Sequence, residues 1–187
     1  MKLLRVLLAA ACVAVPVALV AQQPPATPDK NPVTSTVNRY FDRQKPNLMG
    51  AAEQMPAEKY GYKPTEGHQT FGHMMEHVAK SNAFVCSRIG DLTVPKEIDE
   101  VKEADGKDKL VAALKQSFDL CAQALAKLDD SKLGDPVPWR GGRTVPRAAA
   151  VVELPVDLAD HYAAAATYLR MNGMLPPSAQ PPPQQRR

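Results

Sequence analysis

Two pairs of residues, each spaced four apart, carry side chains that could do chemistry. His73 and His77 form an HxxxH pair, and Asp157 and His161 form a DxxxH pair. Residues four apart lie on the same face of a helix, so each pair could present two ligands together. Imidazole and carboxylate groups bind zinc, nickel or iron, and helical bundles build such metal sites from facing helices. The two pairs therefore predict a site for one divalent ion.

The histidines also have a purely structural interpretation. His77 and His161 fall on or beside apolar stripes of the sequence. A buried imidazole needs a hydrogen-bond partner, because an unpaired polar group inside a protein costs about 1–3 kcal/mol. Both residues would then be core or boundary histidines bonded to backbone or hydroxyl groups. The spacing alone does not decide between a metal site and this structural role.

Several common catalytic motifs are absent from the sequence. It contains no CxxCH for haem attachment, no HExxH of a zinc protease and no CxxC of thioredoxin-like exchange. No glycine-rich phosphate loop follows a predicted strand. The motifs therefore assign no catalytic residue, and they leave open whether the protein is an enzyme.

Four amphipathic helical patterns would position the candidate ligands. Pro46 and Pro155 lie within the first and the last pattern, so we expect a kink or a break at each. No strand-like alternation competes with the helical periodicity, which predicts an all-α four-helix bundle. Long connectors allow at least one crossover between parallel neighbours. The helices are predicted over about residues 35–55, 70–90, 107–128 and 147–172.

The first residues have the pattern of a secretory signal peptide. Lys2 and Arg5 precede an apolar run that ends at Ala21. We therefore expect cleavage after this residue and export to the periplasm or the extracellular medium. An uncleaved membrane anchor is the alternative, although the run is short for a span and contains Pro16. Lipoprotein processing at Cys12 would leave most of the apolar run on the mature chain.

Composition divides the chain into four parts. Residues 1–21 are the signal peptide, residues 22–34 a flexible linker rich in Pro, Gln and Thr, and residues 35–178 the bundle. Residues 179–187 form a disordered tail rich in Pro and Gln. Removal of the signal peptide lowers the formal net charge from +3 to +1. This balance predicts no nucleic-acid binding and no stable attachment to a membrane.

Two cysteines remain after the predicted cleavage. Cys86 lies on the second predicted helix and Cys121 on the third, so adjacent helices could bring them within bridging distance. An even pair in an exported chain favours a disulfide, which would stabilise the fold by about 3–4 kcal/mol. Two buried free thiols are the alternative, because cysteine also packs as a small apolar residue.

Several stretches resemble a DinB-like protein. The first half of that fold is matched by Ala51–Pro56 (AAEQMP), Tyr60–Thr65 (YGYKPT) and Gln69–Ala79 (QTFGHMMEHVA). The end is matched by His161–Tyr162 and by Tyr168–Ser178 (YLRMNGMLPPS). The matches follow in order across most of the mature chain, which is similar to exported members of the DinB/YfiT superfamily. The resemblance implies a four-helix bundle with a long crossover connection.

The resemblance also implies a divalent metal site of three histidines, one on the second helix and an HxxxH pair on the fourth. His77 and His161 match two of these positions. Asp157 occupies the third, and Ala163 stands where a glycine often follows the His-Tyr pair. Aspartate also ligates zinc or nickel, so the expected ligands are two histidines and this carboxylate. If the shorter aspartate leaves the ion out of range, His73 is the substitute ligand.

Relatives in this superfamily include thiol-dependent transferases and isomerases that use a low-molecular-weight thiol with the metal. Others have no known activity, and a shared fold does not transfer function. Three functions remain open: a metal-binding protein of unknown role, a metal-free structural or binding module that has lost the site, and a metal-dependent thiol S-transferase or hydrolase. A small-molecule ligand and a homodimer are both compatible with the sequence.

Overall fold

The computed structural model describes residues 28–181. The predicted signal peptide therefore lies outside the described residues. The helices are α1 (Pro32–Gln54), α2 (Phe71–Gly90), α3 (Lys96–Glu100), α4 (Lys107–Ala126) and α5 (Arg147–Met171). Strands β1 (Pro136–Pro138) and β2 (Thr144–Pro146) form a small antiparallel hairpin between α4 and α5.

The long helices α1, α2, α4 and α5 form the bundle, and α2 and α4 run parallel as neighbours. Asn82 on α2 donates a hydrogen bond to Ser117 on α4, and one turn later on both helices Cys86 lies against Cys121. Parallel neighbours need a connection that returns along the bundle. Residues 91–106 make that crossover, which includes α3. The predicted four-helix bundle with a long crossover connection is confirmed.

The core forms where the predicted apolar stripes of the four long helices meet. Phe41 of α1 packs against Phe118 of α4 with ring centroids 5.9 Å apart. Ile98 of α3 is fully buried, so the crossover is fastened to the bundle by an apolar side chain. Full burial of a side chain of this size contributes about 1.5–3 kcal/mol. None of the helices within residues 28–181 is long and apolar enough to span a membrane.

The start of α1 corrects the predicted linker. Residues 32–34 were expected to be the end of a flexible linker, but the helix begins at Pro32. The backbone N–H groups of Val33 and Thr34 both donate to the carboxylate of Asp130, at 2.9 Å each. This carboxylate satisfies N–H groups that a helix start otherwise leaves unpaired. The cap comes from a residue distant in sequence, so local composition did not reveal it.

The prolines inside the helices do not break them. Helix α1 continues through Pro46 and α5 continues through Pro155, so of the kink or break expected at each proline the break does not occur. The predicted disordered tail also needs correction at its start. Pro177–Ala179 form a 3-10 turn, and Gln180 donates to the side chain of Gln54. The rest of that predicted tail, from residue 182, lies outside the described residues.

The proline-rich connector before α5 forms the β1–β2 hairpin, which the sequence did not predict. Its prolines lack the N–H group that a strand normally contributes, so the segment does not have a strand-like composition. Val137 at its centre is almost fully buried and attaches the hairpin to the bundle. The hairpin turns at Arg140–Gly142, where Gly141 and Gly142 adopt positive φ angles of 70° and 71°. Such angles favour glycine.

Candidate metal site

Helices α2 and α5 bring the predicted ligands together. They run antiparallel, so His77 on α2 faces the stretch of α5 that carries Asp157 and His161. One ligand atom from each of the three side chains lies within 4.8 Å of the other two. The rings of His77 and His161 have centroids 4.8 Å apart. Within residues 28–181 this is the one group of three His, Cys, Asp or Glu residues with such a spacing.

The His161 ring is held in one orientation by its own helix. Its Nδ1 lies 2.7 Å from the backbone carbonyl oxygen of Asp157, one turn earlier. A carbonyl oxygen only accepts, so Nδ1 carries the proton and donates. In the neutral imidazole, the other ring nitrogen, Nε2, then carries the lone pair. Metal-binding histidines commonly have this arrangement, because the hydrogen bond fixes both tautomer and ring orientation.

The Asp157 carboxylate is oriented by a hydroxyl from the facing helix. Ser81 on α2 donates a hydrogen bond to Oδ2 of Asp157 at 2.9 Å. The other oxygen, Oδ1, lies 3.5 Å from Nδ1 of His161. Within the described part of the chain, no lysine or arginine forms an ion pair with this carboxylate. Its negative charge is therefore available to a metal cation.

His77 is the most exposed of the three residues. Desolvation by the surrounding protein and the neighbouring His161 ring lower the pKa of His77, and the Asp157 carboxylate partly opposes this effect. A lowered pKa keeps the imidazole neutral at pH 7. The ring can therefore offer a lone pair to a metal ion at this pH without first losing a proton.

His73, the substitute ligand proposed from the sequence, lies outside this group. It is exposed one turn before His77, and its Nδ1 lies 3.9 Å from a carboxylate oxygen of Glu103. Both histidines line a pocket of about 300 Å³. His73 is thus near the site but points its ring nitrogen to a different carboxylate. The fourth histidine, His68, contacts Thr65 in the connector between α1 and α2.

The donor set fits a divalent metal ion. Two imidazole nitrogens and one carboxylate oxygen are ligands of zinc, nickel and non-haem iron. Ligand atoms around one such ion lie about 2.8–4.2 Å apart, from neighbouring to opposite positions, given bonds of about 2.0–2.1 Å. In the structure the three ligand atoms lie within 4.8 Å of one another, which is close to that range.

The structure adds to the site two residues that the sequence alone does not indicate. Ser81 lies four residues after His77, so their shared helix face was the only local signal for it. Arg140, in the hairpin turn, lines the same pocket as His77, and nothing in its local sequence indicates this position. Away from the site, the sulfur atoms of Cys86 and Cys121 lie at disulfide distance.

Comparisons with known proteins agree with this architecture. Among solved structures, a DinB-like protein from Bacillus cereus has a TM-score of 0.63 at 14% identity, with 76% of this chain and 95% of that chain covered. A DinB-like protein from Bacillus subtilis has a TM-score of 0.60 at 20% identity, with 84% and 100% covered. At these identities the likeness shows the fold alone.

Sequence comparison identifies the family. No protein of curated function matches the chain significantly. The sequence model of the DinB superfamily matches residues 40–165, well over half of the chain and a span that includes all three candidate ligands. The chain therefore belongs to the DinB superfamily.

Proposed function

We propose that this protein binds one divalent metal ion through His77, Asp157 and His161. The observation that carries the proposal is the convergence of two imidazoles and a carboxylate that has no cationic partner among the described residues. Zinc, nickel and iron are the candidate ions, since all three accept nitrogen and oxygen ligands. The nearby Ser81 hydroxyl supports the carboxylate, as outer groups do in known metal sites.

The surroundings of the site are compatible with chemistry on a small molecule. A bound divalent ion with three protein ligands would supply an open position that activates water or a thiolate. His77 borders the pocket of about 300 Å³, so a solvent-derived or substrate group can reach this edge of the site. His161 and Asp157 are less exposed and are held by hydrogen bonds. A metal-dependent hydrolase or thiol S-transferase is the enzymatic form of the proposal.

We also propose that the protein is exported to the periplasm or beyond the cell. The signal-like pattern of residues 1–21 supports this, and so does the Cys86–Cys121 pair at disulfide distance, because disulfides persist in oxidising compartments. Mass spectrometry of the protein recovered from the periplasm or the medium should give a mature chain that begins at Gln22. Recovery of the intact chain from the cytoplasm alone would contradict export.

Metal analysis of the purified protein tests the metal site. After growth with zinc, nickel and iron supplied, we expect close to one divalent ion per chain. The double variant with His77→Ala and His161→Ala should lose it, whereas the control His68→Ala should retain it, because His68 lies outside the group.

A metal-free module is the competing function, and one observation favours it. Asp157 stands where the family resemblance implies a third histidine, and it already has a hydrogen-bond partner in Ser81. On this account the wild type and the double variant would contain equally little metal. They would also unfold at the same temperature with and without added zinc. That pair of results would reject the metal proposal in favour of a structural or binding role.

A further inference from the structure

The pocket beside the candidate metal site has an aromatic wall. Phe84, two turns after His77 on α2, lines it together with Arg140 from the hairpin turn. The Trp139 ring packs edge-on against Phe84, with centroids 5.2 Å apart. Both aromatic residues are only partly buried. The pocket thus lies between α2 and the hairpin, with His77 at one edge.

Positive charge is concentrated around this wall. The guanidinium carbon of Arg140 lies 4.4 Å from the Phe84 ring centroid, and that of Arg88 lies 3.8 Å from it. Stacking of this kind stabilises an arginine while its N–H groups stay available to acceptors at the edge of the guanidinium plane. Lys80 also lines the pocket, one turn before Phe84. Two guanidinium groups therefore lie over one aromatic ring, and a lysine lines the pocket beside it.

Neighbouring carboxylates neutralise part of this positive charge. Glu76, which also lines the pocket, accepts hydrogen bonds from Lys80 at 2.8 Å and from the backbone N–H of Glu103 at 2.7 Å. Arg140 forms an ion pair with Glu153 through one terminal nitrogen. Each guanidinium carries five N–H donors, so this single contact leaves others free. Within residues 28–181, Arg88 has no carboxylate at ion-pair distance.

Arg140 is placed at the pocket by the hairpin. It begins the Arg140–Gly142 turn, and the ladder on either side pairs Pro138 with Thr144. The buried Val137 attaches this ladder to the bundle. The base is held by a hydrogen bond from the backbone N–H of Arg147 to the carbonyl oxygen of Asp135 at 2.7 Å. A positioned arginine beside a metal site is a common way to bind a carboxylate or a phosphate.

We propose that this pocket binds the oxyanion group, a carboxylate or a phosphate, of a small-molecule substrate through Arg140 and Lys80. Arg88, whose guanidinium also lies over the Phe84 ring, adds positive charge nearby. This inference rests on the proposed metal site at His77, which would act on the part of the substrate next to the bound oxyanion. A divalent ion offsets the negative charge of Asp157, so the oxyanion should bind more tightly to the metal-loaded protein.

Titration with two simple anions tests the proposal. Zinc-loaded protein, freed of excess zinc, is titrated with acetate and separately with inorganic phosphate at constant ionic strength, and backbone amide NMR shifts are recorded. We expect saturable shifts at His77, Phe84 and Arg140 with at least one anion, and the responding anion identifies the oxyanion class. Arg140→Gln and Lys80→Gln should each weaken binding at least tenfold. Arg170→Gln, an exposed cation at the end of α5, is the control.

Zinc content measured on the same samples separates the two proposals. Loss of anion binding in Arg140→Gln with one zinc per chain retained supports the oxyanion pocket. Equal anion affinity in wild type and Arg140→Gln overturns it, since the anion would then bind the ion alone. The absence of saturable shifts with either anion overturns it too. If the wild type holds no zinc, the metal proposal fails, and the same titration of metal-free protein decides whether Arg140 still binds the anion.

Discussion

Ser81 on α2 donates a hydrogen bond to the Asp157 carboxylate on α5 at 2.9 Å. Helix α2 therefore carries one candidate ligand, His77, and, one turn later, the group that orients a second. This bond leaves Oδ1 of the carboxylate to face His161. The Asp157 carboxylate is thus oriented by the facing helix and the His161 ring by its own helix, and His77 completes the group from the pocket edge.

Ser81→Ala should weaken metal binding without unfolding the protein. Loss of an outer hydrogen bond to a ligand typically lowers metal affinity about 10–100-fold. Zinc affinity is measured by competition with a chelating dye. Ser87→Ala on the same helix is the matched control, because Ser87 donates to the Phe84 carbonyl and does not contact Asp157. Equal zinc affinities for both variants and the wild type would show that Ser81 does not support the site.

Metal affinity should fall as the pH is lowered. The pKa of His77 lies below its ordinary value because of desolvation and the His161 ring, so the imidazole is neutral at pH 7. As the pH falls through this pKa, protons compete with the metal for the ring nitrogen. The competition at this ligand lowers affinity by up to about tenfold per pH unit. Dye competition at pH 5, 6 and 7 measures the effect. A zinc affinity that stays constant from pH 7 to pH 5 would contradict this prediction.

The Cys86–Cys121 pair should contribute strongly to stability. Both residues are fully buried, and they connect the parallel helices α2 and α4 across a sequence separation of 35 residues. A cross-link that closes a loop of this length stabilises by about 3–4 kcal/mol in the chain-entropy model. Replacement of both cysteines by alanine should lower the free energy of unfolding in urea by that amount. A loss below about 1 kcal/mol, measured without reductant, would argue for free thiols.

Gly90→Ala should destabilise the bundle although alanine favours helices. A Cβ at Gly90, the last residue of α2, would lie 2.7 Å from Cα and 2.8 Å from Cβ of Ala124 on α4. Relief of that clash requires backbone movement, and overpacking of this kind costs about 1–3 kcal/mol. Gly134→Ala is the control, because a Cβ there meets nothing within 4 Å. Urea unfolding should show a loss for Gly90→Ala only. Equal stabilities would mean that α2 and α4 pack less closely at this point.

Local sequence signals predict the ends of helices, and the structure contains the corresponding caps. Thr70 caps α2 by accepting a hydrogen bond from the backbone N–H of His73, at the point where the sequence predicts that this helix begins. Gly173 adopts a φ of 75° just after α5, which fits the predicted helix end. The start of α1 could not be found in this way, because Asp130 caps it from about a hundred residues away.

The candidate site was also predictable only in part, where the signal lies within one helix or in the family resemblance. The i, i+4 spacing on α5 predicted that Asp157 and His161 share a face, and the family resemblance pointed to His77. Spacing along one helix does not show what the facing helix contributes, so the Ser81–Asp157 bond emerged only from the fold. Arg140 was missed because it depends on a hairpin whose prolines hide its strands.

Anomalous X-ray diffraction from crystals grown with zinc tests the central claim most directly. Data collected on both sides of the zinc absorption edge locate the ion without reference to any assumed ligand. We expect one strong anomalous peak between His77, Asp157 and His161, within about 2.0–2.2 Å of a ligand atom of each. A fully ordered site with no anomalous peak, or zinc bound only elsewhere on the chain, would contradict it.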